Sequence, residues 1–170
     1  TWGVDDEWMF RYAQDLLEQA RTQDEKIALF LLSVTNHPPH RVPSTYQPLT
    51  LDLDIIQNDA VSDKDTTRSV LETYQYASDA LGGFLDGLEE SGLLAETVIA
   101  ATGDHPNRSV FNYSDSSQLH LRHGVPVWFY IPEAYRNAHY NEISRQQWTS
   151  HQDIFPTLWA HTLSGTIVPS

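Results

Sequence analysis

Residues 97 to 105 read Thr97-Val98-Ile99-Ala100-Ala101-Thr102-Gly103-Asp104-His105, an apolar run that stops at a glycine and delivers a carboxylate and an imidazole side by side. A short apolar run bounded by a turn glycine has the pattern of a buried strand. In open α/β sheets ligands bind beyond the carboxyl ends of the strands, so Asp104 and His105 stand where a site is expected. Imidazole with carboxylate suits a divalent transition metal. The plainer alternative is that Asp104 closes a turn through backbone N–H groups while His105 is a surface residue. The strand-end position favours the metal.

Two further apolar runs extend this reading. Lys26 to Thr35 is continuous, like a strand buried on both faces of a parallel sheet, and ends in Asn36-His37-Pro38-Pro39-His40, where the prolines forbid a ladder. Val125 to Pro132 is the third strand, preceded by His120 and His123. Helical spacing predicts a helix over about 6–21, opened by Asp5, Asp6 and Glu7 at the positive end of its dipole. A long helix over about 65–91 carries Val70, Tyr74, Ala77, Leu81, Phe84 and Leu88 as one apolar stripe, with Gly92 as its C-cap glycine. Ser150-His151-Gln152-Asp153 resembles a capping box with Asp in place of Glu, opening a last helix through Ile154 and Leu158. Residues 41–65 and 106–122 read as loops. The order of elements implies an α/β fold, a mostly parallel sheet covered by helices.

Composition narrows the function classes. With 170 residues, 40% of them hydrophobic, the chain supports one ordinary core, so residues 1–170 are read as a single unit. Its 23 acidic against 10 basic residues give a formal charge of -13, which argues against a binder of phosphate backbones; nucleic acid is excluded as a partner. There is no cysteine, hence no thiolate chemistry. The longest apolar run, Ile27 to Val34, is far shorter than the roughly 20 residues a bilayer-spanning helix requires. The start at Thr1-Trp2-Gly3, without a methionine, reads as the interior of a longer protein.

Among the histidines, His37 and His40 are either two solvated side chains on a proline-rich loop or part of a site. His123, before Gly124, reads most simply as a turn residue and His151 as a first-turn helix residue. His120, His139 and His161 are surface or packing residues.

In this order, Thr35-Asn36-His37-Pro38-Pro39-His40, then Tyr74 to His105, then His123-Gly124-Val125-Pro126-Val127, then Ser150 to Trp159 resemble the carboxyl-terminal half of a sulfatase-like domain of the alkaline phosphatase superfamily. The resemblance is closest to the lipoteichoic acid synthase and phosphoglycerol transferase branch, with phosphoethanolamine transferases as neighbours. It spans nearly the whole chain. It implies a partial domain whose metal, Mn2+ or Zn2+, is held by Asp104 and His105, with His37 contacting the head group and His123 near the substrate. It also implies a phospholipid head-group donor, a glycan or lipid acceptor, and an extracytoplasmic domain anchored to the membrane through a missing amino-terminal region. The family's nucleophilic threonine and glutamate ligand would lie upstream, so this portion alone is expected to be inactive. Pro106 follows the Asp-His pair where the family often has glycine or an aromatic residue. The alternatives are a sulfatase or phosphodiesterase of the same superfamily, and a noncatalytic head-group- or glycan-binding module using Trp2, Trp8 and Tyr46.

Overall fold

The computed structural model describes residues 3–56, 63–107, 110–111, 113, 115–136 and 148–163. Trp2 and His139 lie outside the described residues, as does part of each predicted loop.

Helix α1 (Asp6–Thr22) and helix α2 (Lys64–Glu90) pack together, joined by residues 23–63. Both fall within a residue or so of their predicted spans. Asp63 caps α2, its carboxylate accepting from the Thr66 N–H at 2.9 Å and the Thr66 hydroxyl at 3.0 Å. The α1–α2 interface forms the main core: Ala13, Phe84, Leu88 and Leu93 are buried, with Phe10, Leu17, Leu81 and Ile99 packed against them. The Phe10 and Phe84 rings stack at 5.0 Å. Arg21 Nη1 donates to the Ser91 carbonyl at 2.8 Å and holds the far ends of the two helices together.

Gly92 adopts φ +75°, the left-handed cap that glycine accepts at least cost, and turns the chain out of α2. A 3-10 turn, Leu93–Glu96, then leads into strand β1 (Ile99–Thr102). Ile99 touches the helical core, so the strand leaves it in a fixed direction. A short helix α3 (Leu119–His123) precedes strand β2 (Val127–Tyr130), and helix α4 (Ile154–Thr162) follows a 3-10 turn over His151–Asp153. The capping box at Ser150 is formed as the sequence predicts: the Gln152 N–H donates to Ser150 Oγ at 3.2 Å and the Ser150 N–H to the Asp153 carboxylate at 2.8 Å.

The α/β class holds, but two strand expectations change. Among the described residues the sheet has two strands, and β1 pairs with β2 antiparallel, Ile99 opposite Tyr130 and Thr102 opposite Val127. A mostly parallel sheet is therefore not what these residues form by themselves. Lys26–Thr35 enters no ladder, and Lys26–Ser33 lies exposed, with Phe30 at 92% of its full accessibility. A strand buried on both faces requires a neighbour on each side, and no described strand pairs with this one.

The run is nevertheless anchored at its end. Asp6, 1% exposed, uses Oδ1 to accept the Val34 N–H at 3.1 Å and the Thr35 N–H at 3.2 Å. Thr73 of α2 then donates its hydroxyl to Asn36 Oδ1 at 2.9 Å. Together these two contacts fix where the His37 loop begins.

Candidate metal site at the strand tip

Antiparallel pairing decides what surrounds Asp104 and His105. Because Thr102 faces Val127, the carboxyl end of β1 lies beside the amino end of β2, the end reached from His123 through Gly124, Val125 and Pro126. Val125 packs against Gly103, where an added Cβ would meet it at 3.4 Å. His123, the last residue of α3, therefore belongs to the same edge of the molecule as the Asp-His pair.

At the tip itself, the His105 N–H donates to Asp104 Oδ1 at 2.8 Å. This is the turn-closing bond of the plainer sequence reading, and it leaves Oδ2 turned toward the ring, 3.6 Å from His105 Nε2. His105 Nδ1 lies 3.0 Å from the Pro106 carbonyl. A carbonyl can only accept, so Nδ1 carries the proton when the ring is neutral, and Nε2 presents its lone pair. An imidazole whose Nδ1–H is held by a backbone carbonyl is oriented as a ligand through Nε2. The side chains are 62% and 76% exposed, so as a bare ion pair they would contribute little.

The donor set fits a cation in type and spacing. Two ligands with bonds near 2.1 Å at a tetrahedral angle stand about 3.4 Å apart, against the 3.6 Å observed between Asp104 Oδ2 and His105 Nε2. Two ligands make an incomplete set, and among the described residues no group of three or more His, Cys, Asp or Glu side chains converges.

His37 sits on the loop anchored by Asp6 and Asn36. Its backbone N–H donates to the Val34 carbonyl at 3.1 Å, and its Nδ1 faces the Pro38 carbonyl at 3.0 Å, so that nitrogen too carries the proton in the neutral ring. Next to it, burial lowers the His40 pKa, with a smaller contribution from repulsion by His37. His161 is a packing histidine, buried with Nδ1 2.8 Å from the Tyr135 carbonyl. His120 meets Trp148 edge-on, the ring centroids 5.9 Å apart.

Sequence reasoning missed His151. Its Nε2 lies 2.8 Å from the Gly103 carbonyl and 3.4 Å from Thr102 Oγ1, so this first-turn residue of the last helical segment reaches the strand tip. The capping box placed His151 at a helix start, but only the fold shows that this helix start abuts β1.

An α/β unit with a carboxylate-imidazole pair at a strand end defines a class of protein. The sequence model of the sulfatase family, described as "Sulfatase", matches residues 1–164, and the chain belongs to that family. Among solved structures, it is similar to the lipoteichoic acid synthase LtaP from Listeria monocytogenes, at 21% identity and a TM-score of 0.63 over 78% of this chain. That likeness covers 34% of the LtaP chain, so this chain spans about a third of its length. No curated protein matches the chain.

Proposed function

We propose that this chain is the carboxyl-terminal part of a single sulfatase-like catalytic domain that moves a phosphoglycerol or phosphoethanolamine head group from a phospholipid to a glycan or lipid acceptor. The observation that carries the reading is the strand tip: Asp104 Oδ2 and His105 Nε2 at 3.6 Å, with Nδ1 committed to a backbone carbonyl. In this reading the two side chains hold a divalent cation, Mn2+ or Zn2+. A cation there supplies Lewis acidity to a phosphate oxygen and lowers the pKa of a hydroxyl nucleophile.

The remaining roles belong to the protein's own groups. A threonine hydroxyl from residues other than these attacks phosphorus, and the diacylglycerol oxygen leaves with the bonding pair and takes up a proton. The acceptor hydroxyl then gives up its proton and bonds to phosphorus as the threonine oxygen leaves with the bonding pair and regains a proton. His37 binds the head group through its ring, and His123, from the same edge as the cation ligands, contacts the substrate. The family resemblance and the edge shared by β1 and α3 support these assignments. Among the described residues no helix is long and apolar enough to cross a membrane. In this reading the domain works outside the cytoplasm, anchored by residues elsewhere in the protein.

The family match by itself favours a second reading, hydrolysis of sulfate or phosphate esters. One assay separates them. The full-length protein is incubated with phosphatidylglycerol vesicles or an aryl sulfate in the presence of Mn2+. Diacylglycerol released together with glycerophosphate bound to an acceptor hydroxyl, both falling about a thousandfold in Asp104→Ala, supports the transferase, since losing a metal's contribution of several kcal/mol is an effect of that order. Sulfate, or diacylglycerol with free glycerol phosphate, supports the hydrolase. The absence of both products contradicts an enzymatic role and favours a head-group-binding module.

A further inference from the structure

We infer that His151 is a positioning residue for the strand tip: from the turn before α4 its imidazole holds the Gly103 carbonyl and so fixes the direction in which Asp104 and His105 leave β1. The inference rests on the reading of Asp104 and His105 as cation ligands. Its geometry does not.

The Gly103 carbonyl accepts two hydrogen bonds, one from Thr102 Oγ1 at 3.0 Å and one from His151 Nε2 at 2.8 Å. Since a carbonyl has no proton to give, His151 carries its hydrogen on Nε2. The peptide unit is planar, so holding the oxygen of residue 103 also holds the plane from which Asp104 begins. Glycine is the residue whose backbone has the most freedom to lose, and the tip depends on an external restraint correspondingly more at Gly103 than it would at any other residue.

The group that supplies this restraint is itself braced. The Asp153 carboxylate accepts from the Ser150 N–H at 2.8 Å and from Thr149 Oγ1 at 2.6 Å, which locks the turn bearing His151. Trp148, just before it, lies against Gly124 and beside the His120 ring, tying the same turn to the segment that enters β2. At Gly124 an added Cβ would stand 2.7 Å from the His120 carbonyl oxygen, so that close approach requires glycine. The strand tip, the end of α3 and the start of α4 thus converge, and His151 links the last to the first. Residues that orient metal ligands without binding the metal typically alter affinity about 10- to 100-fold.

The test uses the full-length protein and four forms: wild type, His151→Ala, His151→Gln and Asp104→Asn. Two quantities are read, Mn2+ affinity by calorimetry and amide hydrogen exchange over residues 102–105 in the metal-free protein. The expected result is that His151→Ala weakens Mn2+ binding by about 10- to 100-fold and speeds exchange at the tip. His151→Gln, whose amide N–H can take the place of Nε2–H, should restore most of both. Wild-type affinity and exchange in His151→Ala would overturn the inference. So would a defect that glutamine leaves unrepaired, because that marks general damage to the fold. Asp104→Asn binding Mn2+ as tightly as wild type would instead sink the cation reading, and this inference with it.

Discussion

Asp6 shows how far a residue's role can lie from its local reading. Beside Asp5 and Glu7 it looks like one more negative charge at a helix start, yet its side chain is 1% exposed and spans from α1 to the backbone of Val34 and Thr35. Its partners are 28 and 29 residues away, and nothing in the spacing announces them. Substituting Asp6→Ala strands two backbone donors, one of them buried, each worth about 1–3 kcal/mol when left unsatisfied. The expected loss in urea-unfolding stability is about 3 kcal/mol, with Asp6→Asn losing less than half of that because it keeps the acceptor. Equal losses in the two variants would mean that charge, and not the acceptor, is what matters. Asp104 and His105 are the opposite case. A strand-ending Gly-Asp-His was legible because the chemistry and the position are contiguous in sequence, whereas His151 depended on a contact across 48 residues.

At the scale of elements, helices were read well and strands poorly, for a physical reason. A helix satisfies its backbone internally, so the apolar stripe of α2 and the Gly92 stop define it locally. A strand is completed by neighbours, and Ile27 to Val34 finds none among the described residues. A contiguous exposed apolar run of this kind marks a covered surface. Under the proposed reading, the amides of residues 27–33 exchange slowly in the full-length protein and quickly in this chain alone, while Val34, whose N–H is held by Asp6, is protected in both; fast exchange of 27–33 in both would contradict the expectation.

The start of α4 has a signature in pH. Hydrogen bonds from Thr149 first, then from Ser150, hold the Asp153 carboxyl below its ordinary value of 3.8. A carboxylate whose pKa is depressed by folding adds stability above its unfolded pKa, and that contribution is lost as pH falls through the folded one. Acidification below about 3.8 should therefore loosen the turn carrying His151, read as faster exchange over residues 148–154. In Asp153→Asn the response to acid should be reduced; an unchanged response would assign it to other groups.

The whole molecule was legible as a class more than as a shape. The ordered motifs pointed to the sulfatase-like branch, and the family match over residues 1–164 carries that conclusion independently of any single residue. What the sequence could not supply was the arrangement of the sheet. The antiparallel pairing of β1 with β2 places His123 on the edge that holds Asp104 and His105, where a parallel neighbour would have started at the opposite end. The strand tip thus lies beside the segment that enters β2 and the helix start bearing His151, elements spread over residues 102 to 151.

The most direct test of the central claim is zinc-edge anomalous diffraction from crystals of the full-length protein grown with Zn2+. The account predicts one strong peak about 2.0–2.2 Å from both Asp104 Oδ2 and His105 Nε2. A peak elsewhere, with these two atoms facing solvent, would contradict it.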